Sequence, residues 1–438
     1  MPEHYPKILI IGETFRNDTG GGITLRNLFS NWPNNKLAVI TQSDLNDEKI
    51  CLNYYKIGAN ENRFIKILKF LFSVGKFKYF TSSNIILKNN DLGINFHIKI
   101  LFLNLVKKTI GALSHFLGIH HMLHSNRLSN LLLSWINEFD PDVIYIQPNS
   151  LQIILLVDKL VLKVNKPIVI HIVDDYRKTK NKFGLLYYYF EKKIEHEVTQ
   201  LVNRASLRFS ICEEMSEEYL TRFGEVFIPI HNPVQIERWN KKKYKYDSII
   251  SNEFRIVYAG RIGVANRKAI NQLIDLVLSL NKEKQLICFD IYSVDHDEII
   301  INRLKDIKSI RHHGFIPHDS LPATLSNYDL LFLPLSTSSR SLNYTRLSMP
   351  TKASEYMATG IPIIVYAPKQ TALYRYAEKY KWAFVASNLH ELKKGVMLLL
   401  GSDSARNEFS EKAIELAIRK HELTYVSRVF QQKIKELI

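Results

Sequence analysis

Cysteine is scarce: the 438 residues hold three, Cys51, Cys212 and Cys288. They lie too far apart for a metal-binding or redox spacing. A sparse, odd set fits a reducing compartment, so a cytoplasmic location is expected. Long apolar runs are missing as well. The best candidate, residues 151–164, is interrupted by Asp158 and Lys159, short of the roughly 18 apolar residues that a membrane-spanning helix needs. Residues 1–6 are polar, and 7–12 are too few for the apolar core of a secretory leader. No repeat of solenoid length and no low-complexity tract is present. Acidic charge is in deficit: 43 Asp and Glu stand against 59 Lys and Arg, a formal charge of +16. Nucleic acid, an anionic membrane surface and phosphorylated small molecules all answer to that excess. No nucleic-acid motif accompanies it, which ranks nucleic acid last.

What is present is core. Hydrophobic residues make up 46% of the chain, enough for a globular protein. The length gives a prior of roughly two to three domains. Short, nearly continuous apolar runs alternate with helical patterns, as in strands buried on both faces of a parallel sheet. The first half predicts strands at 7–11, 37–41, 143–146, 168–172, 207–211 and 226–230, with helices at 23–32, 126–139 and 183–203. The second half repeats the rhythm, with strands at 255–259, 286–292, 330–333, 361–366 and 382–385. Such alternation predicts an α/β chain of doubly wound domains. The boundary falls at His231-Asn232-Pro233, before a lysine-rich linker. The expected domains are 1–232, 233–425 and a terminal helix, 426–438, that crosses back to the first domain. Residues 61–130 interleave many bases with aliphatic and aromatic residues. They read as a basic amphipathic surface for anionic lipid, or as an ordinary helix with its apolar side in the core.

Three motifs carry chemistry. Gly20-Gly21-Gly22 follows the first strand and precedes a helix, where Gly21 and Gly22 would bring backbone N–H groups close to an anion; a bare turn is the plain alternative. It is not the dinucleotide fingerprint. Gly260-Arg261, with Lys268 seven residues beyond Arg261, follows the first strand of the second domain, and two cations there suit a diphosphate; two surface bases would read the same. In the run from Ser348 to Pro362, Pro350 starts a helix, Thr351 caps it and Gly360 ends it. The Glu355 carboxylate, one turn in, has the acceptor oxygens to hold both hydroxyls of a ribose.

With these motifs in order, joined by His313-Gly314-Phe315-Ile316-Pro317 and Tyr328-Asp329, the chain resembles GT-B glycosyltransferases, especially the family 4-like enzymes of bacterial surface-polysaccharide synthesis. The resemblance spans nearly the whole length. It implies two Rossmann-like domains facing across a cleft, with the donor nucleotide sugar on the second and the acceptor on the first. It also implies that Arg261 and Lys268 clamp the donor diphosphate, that Glu355 holds the ribose, that Gly314, Phe315 and Ile316 lie near the base, and that Ser348, Thr351 and Lys352 face the donor phosphates or sugar.

Two departures stand out. Leu347 occupies the place, eight residues before Glu355, where the family commonly has a second glutamate. Counted from Pro167, the usual His-Asp pair falls on Val173 and Asp174. Asp174 and Asp175 are therefore the candidate carboxylates at the active cleft, where one would orient the acceptor hydroxyl or take its proton, unless they serve only to cap the loop. His171 reads as a core histidine. Asp295-His296-Asp297 matches a metal-binding pattern, but the resemblance is to metal-independent enzymes, so neither metal nor cofactor is expected. Retaining transfer to a saccharide or lipid-linked acceptor is the expectation, at the cytoplasmic face of the inner membrane. A nucleotide-sugar 2-epimerase and a non-catalytic binding subunit are the alternatives.

Overall fold

The computed structural model describes residues 5–62, 126–175, 186–240 and 253–438, apart from 17–18, 43–46, 48, 59, 296–297, 305–306, 339–340 and 343–344, together with 109, 113, 114 and 116. Most of the 61–130 region, the linker lysines and His296-Asp297 thus lie outside the described residues. In chain order the first lobe comprises β1 (Ile8–Ile11), α1 (Gly20–Leu28), β2 (Leu37–Thr41), β3 (Asn53–Lys56), α2 (Asn130–Phe139), β4 (Val143–Ile146), α3 (Leu151–Val161), β5 (Ile168–Ile172), α4 (Tyr187–Arg204), β6 (Leu207–Ser210), α5 (Glu213–Phe223) and β7 (Ile228–Pro229). The second comprises α6 (Ile236–Trp239), β8 (Phe254–Ala259), α7 (Arg267–Lys282), β9 (Ile287–Tyr292), α8 (Glu298–Leu304), β10 (Ile310–Gly314), α9 (Leu321–Leu325), β11 (Leu330–Pro334), α10 (Thr351–Thr359), β12 (Ile363–Tyr366), α11 (Ala372–Tyr380), β13 (Phe384–Ala386), α12 (Leu389–Gly401) and α13 (Asp403–His421). A last helix, α14 (Leu423–Lys435), follows.

The strands form two sheets, ordered β3-β2-β1-β4-β5-β6-β7 and β10-β9-β8-β11-β12-β13, and every pairing within them is parallel. Strands β1, β2, β4, β5, β11 and β12 are buried at every residue, which is why they read as unbroken apolar runs. In each sheet the order reverses beside the first strand, between β1 and β4 and between β8 and β11. At such a switch point the loops leaving the strand C-termini diverge and open a crevice.

The helix starts depart from expectation. Helix α1 begins at Gly20, capped by the Thr19 hydroxyl, which accepts the Gly22 N–H at 3.1 Å. The glycine triplet is thus the first helical turn and not a preceding loop. Thr351 is not a cap: it is the first residue of α10, and Pro350 holds the cap position without a side-chain bond. Gly360 ends α10 at φ 69°, in the left-handed region that glycine adopts without strain.

Polar contacts tie the lobes at the hinge. Thr24 on α1 donates to Asn232 at 2.7 Å, and the Asn232 amide donates to the Met349 carbonyl at 3.0 Å. Helix α14 returns to the first lobe. Its Ser427 and Gln431 donate to the carbonyls of Asn27 and Leu28. Its Phe430, fully buried, sits in an aromatic box of Phe29, Tyr145, His171 and Phe209. His171 is fully buried, and burial pushes its imidazole down to about 3. It is a neutral core residue on the sheet itself. Among the described residues, no helix is long and apolar enough to cross a membrane.

Candidate active site

The second lobe's switch point is built around Lys352. The residue lies in the first turn of α10, directly over the C-terminal end of β8. Gly260 leaves that strand at φ 148°, and a Cβ there would overlap Lys352 Nζ and Cε. Only glycine meets both demands. The ammonium lies 3.3 Å from the Tyr258 hydroxyl and 5.0 Å from its ring centroid, a cation over an aromatic face. Burial pushes the Lys352 ammonium down to about 8, against the opposing fields of Glu355 and Asp295. A desolvated cation beside a helix N-terminus without a side-chain cap gathers positive potential in one place. That combination suits a phosphate.

Glu355 lies one turn further along α10 and is 6% exposed. Its Oε1 is 2.8 Å from His318 Nε2. Gly314, at φ 72°, turns the chain out of β10. Phe315 after it is exposed, and Ile316 packs onto the core. This loop delivers His318 to Glu355.

The cations named from spacing carry exposed side chains. The Arg261 side chain is 78% exposed, with Nε 4.0 Å from Asp295 Oδ1. Lys268 is exposed on the first turn of α7. Asp295 is engaged as an acceptor: its Oδ2 takes the Ile262 N–H at 2.9 Å. Among the described residues, no group of acids, histidines and cysteines has the arrangement of a metal site.

Three of the contacts between the first lobe and this centre bear on the site residues. A Cβ on Gly20 would lie 2.7 Å from the Thr351 hydroxyl, so the start of α1 abuts the start of α10. Gly21 packs against the Glu13 carboxylate, and the Gly22 N–H is taken by the Thr19 cap. The second contact is a bond from the Ser348 hydroxyl to Asp174, which is exposed beyond the end of β5. In the third, Arg346 holds Glu218 on α5 with both guanidinium nitrogens, at 2.8 and 3.2 Å. That bond holds the Glu218 carboxyl down to about 2.

Asp175 has a different setting from Asp174. Arg222, whose side chain is 4% exposed, donates to both of its oxygens at 2.7 and 3.2 Å and also reaches Glu218. Tyr219 and Phe223 lie beneath the guanidinium. Asp175 is therefore one half of a buried ion pair. The structure thus brings together Gly260, Lys352 and Glu355, and sets Ser348 and Thr351 against Asp174 and Gly20. It leaves Arg261 and Lys268 extended at the surface. Sequence reasoning passed over Tyr258, His318, Arg222 and Arg346. Tyr258 and His318 flank the Gly260 and Gly314 motifs by two and four residues, the one signal that marked them.

The fold has counterparts among solved structures. HepE of Anabaena in complex with UDP and glucose superposes with a TM-score of 0.63 at 12% identity, covering 98% of this chain and 100% of its own. The sucrose-phosphate synthase of Thermosynechococcus elongatus gives 0.63 at 11% identity, with 98% of each chain covered. The fold is GT-B. A Listeria monocytogenes structure described as a UDP-N-acetylglucosamine 2-epimerase shares the GT-B architecture of this chain at a TM-score of 0.52 and 11% identity, covering 99% of this chain and 96% of its own. Residues 276–419 match the model of the glucosyltransferase 3-like C-terminal domain. No curated protein matches the chain in sequence.

Proposed function

We propose that this chain is a glycosyltransferase that binds a nucleoside-diphosphate sugar on the second lobe and passes the sugar to a saccharide or lipid-linked acceptor held by the first. The observation that carries the reading is the desolvated Lys352 ammonium, set against Gly260 at the end of β8 and within the field of Glu355. A phosphate-sized anion and a ribose are the two parts of one nucleotide, and α10 offers a cation and a carboxylate one turn apart for them. The match of 276–419 to a glucosyltransferase domain and the UDP and glucose bound by HepE support the same donor class.

In this reading the sugar–oxygen bond breaks through an oxocarbenium-like transition state, and the diphosphate gains charge as it leaves. Lys352, the N–H groups at the start of α10, and Arg261 and Lys268 folding inward from the surface stabilise that charge more in the transition state than in the ground state. Neither a metal nor a cofactor is invoked. Asp174 orients the acceptor hydroxyl and takes its proton as the new sugar–oxygen bond forms. Lobe closure about Asn232-Pro233 excludes water from the donor. Retaining stereochemistry, a role in cell-surface polysaccharide synthesis and work at the inner membrane's cytoplasmic face through 61–130 belong to the same proposal.

The test is a thermal-stability screen of nucleotide sugars, followed by product analysis with mixed saccharide acceptors. A true donor raises the melting temperature by mass action and yields a glycosylated acceptor. Sugar conversion without any acceptor would mark an epimerase. Donor binding with no product of either kind would mark a non-catalytic subunit.

A further inference from the structure

His318 meets Glu355 from the end of the 314–317 loop, and no motif gave the histidine itself a role. Its Nε2 lies 2.8 Å from Glu355 Oε1, with the two side chains 22% and 7% exposed. The other ring nitrogen, Nδ1, faces Arg238 Nη2 at 3.4 Å. Arg238 Nη2 also donates to the Asp319 carboxylate and lies 3.4 Å from the His318 carbonyl. Because a guanidinium only donates, its contact with Nδ1 favours the tautomer that carries its proton on Nε2, directed at the carboxylate. The Trp239 ring, buried, stands edge-on to the imidazole with centroids 5.5 Å apart. Arg238 and Trp239 both belong to α6, the first element after the hinge. The ring is thus fixed on one side by α6, and its proton is fixed on the other by Glu355.

We infer that His318 is a positioning residue for nucleotide recognition: it occupies one lone pair of Glu355 Oε1 and locks the carboxylate so that its remaining lone pairs meet the two hydroxyls of a ribose. This rests on the donor-site reading above. A carboxylate on a helix has several rotamers of similar energy. A hydrogen bond to an ionised group is among the stronger ones, and here it selects one rotamer before the ligand arrives. Preorganisation of this kind removes an ordering cost from binding. It acts only on the part of the ligand that Glu355 touches.

The experiment is calorimetric titration of wild type, His318→Ala and His318→Gln with a panel of nucleoside diphosphates, each compared with its 2′-deoxy and 3′-deoxy forms. Glutamine can donate to Glu355 and accept from Arg238, as the neutral imidazole does. The expected result is that wild type prefers the ribonucleotide, that His318→Ala loses about tenfold or more of that preference while holding the deoxy forms as before, and that His318→Gln restores it. If His318→Ala does not fold, His318→Asn, whose amide is too short to reach Oε1, takes its place. A merely structural residue would weaken ribo and deoxy forms alike, and that result overturns the inference. So does an unchanged preference in the alanine or asparagine variant. If wild type binds no nucleoside diphosphate at all, the donor-site reading falls, and the inference falls with it.

Discussion

The Ser348 hydroxyl, on the loop before α10, donates to the Asp174 carboxylate beyond β5 at 2.9 Å. One bond joins a loop of the second lobe to a carboxylate of the first, while the neighbouring Asp175 is held by Arg222. The two adjacent acids thus differ in chemistry: one is exposed at the junction of the lobes, the other is sealed in an ion pair.

That difference is measurable for Asp174. Asp174→Asn keeps the shape and the bond to Ser348 but removes the carboxylate's basicity. The expected outcome is a fall of about 100-fold in kcat, the low end of what a positioned proton acceptor contributes, with donor KM little changed. Steady-state kinetics with the donor from the screen checks it, and a wild-type kcat would remove Asp174 from the chemistry.

For Asp175 the expected effect is on stability. Asp175→Asn leaves the buried Arg222 guanidinium with Glu218 as its remaining ionic partner. Breaking a buried pair from one side costs about 3 kcal/mol or more. Thermal or urea unfolding of the variant should show a loss of that order, and unchanged unfolding would mean that the pair is better solvated than its burial implies.

Lys352 sets a pH dependence. Its ammonium is pushed down to about 8 by burial, so the folded protein releases this proton at a lower pH than the unfolded chain. Between that value and the ordinary lysine range the unfolded chain holds more protons, and this residue's contribution to stability rises with pH. Anion binding runs the other way, because only the charged form attracts a diphosphate. Nucleoside-diphosphate affinity should fall as pH rises through about 8. Lys352→Arg, whose guanidinium stays charged, should flatten that decline. Calorimetry from pH 6 to 10, about two units on either side, covers the transition.

Phe430 tests the return of α14. It is fully buried among four aromatic rings of the first lobe. Phe430→Ala should cost about 3–5 kcal/mol through lost burial and the cavity left behind. A melting temperature within a degree of wild type would show that the terminal helix packs loosely.

The sheets were legible because their central strands are buried on both faces, so 37–41, 143–146 and 168–172 read directly as apolar runs and match β2, β4 and β5. Strands β3 and β10 escaped that reading. Asn53–Lys56 is half-buried at an outer edge, and Ile310–Gly314 alternates exposure and carries Arg311, His312 and His313. In the site, the glycines, Glu355 and the helix end at Gly360 were visible as local motifs. The partners were not. Arg222 reaches Asp175 across 47 positions and Arg346 reaches Glu218 across 128, distances over which chain folding alone sets the pairing. Lys352 was named through the resemblance, but its packing against Gly260 was not legible, because it arrives from α10, far along the chain from β8.

The most direct test of the account is titration of nucleoside diphosphates into wild type and Lys352→Met at pH 7, where the native ammonium is charged. The account predicts saturable binding to wild type and a loss of about tenfold or more in the variant, the value of one charge-assisted contact, with unfolding behaviour retained. Equal affinity in the two proteins, or no binding to wild type by any nucleoside diphosphate, would contradict it.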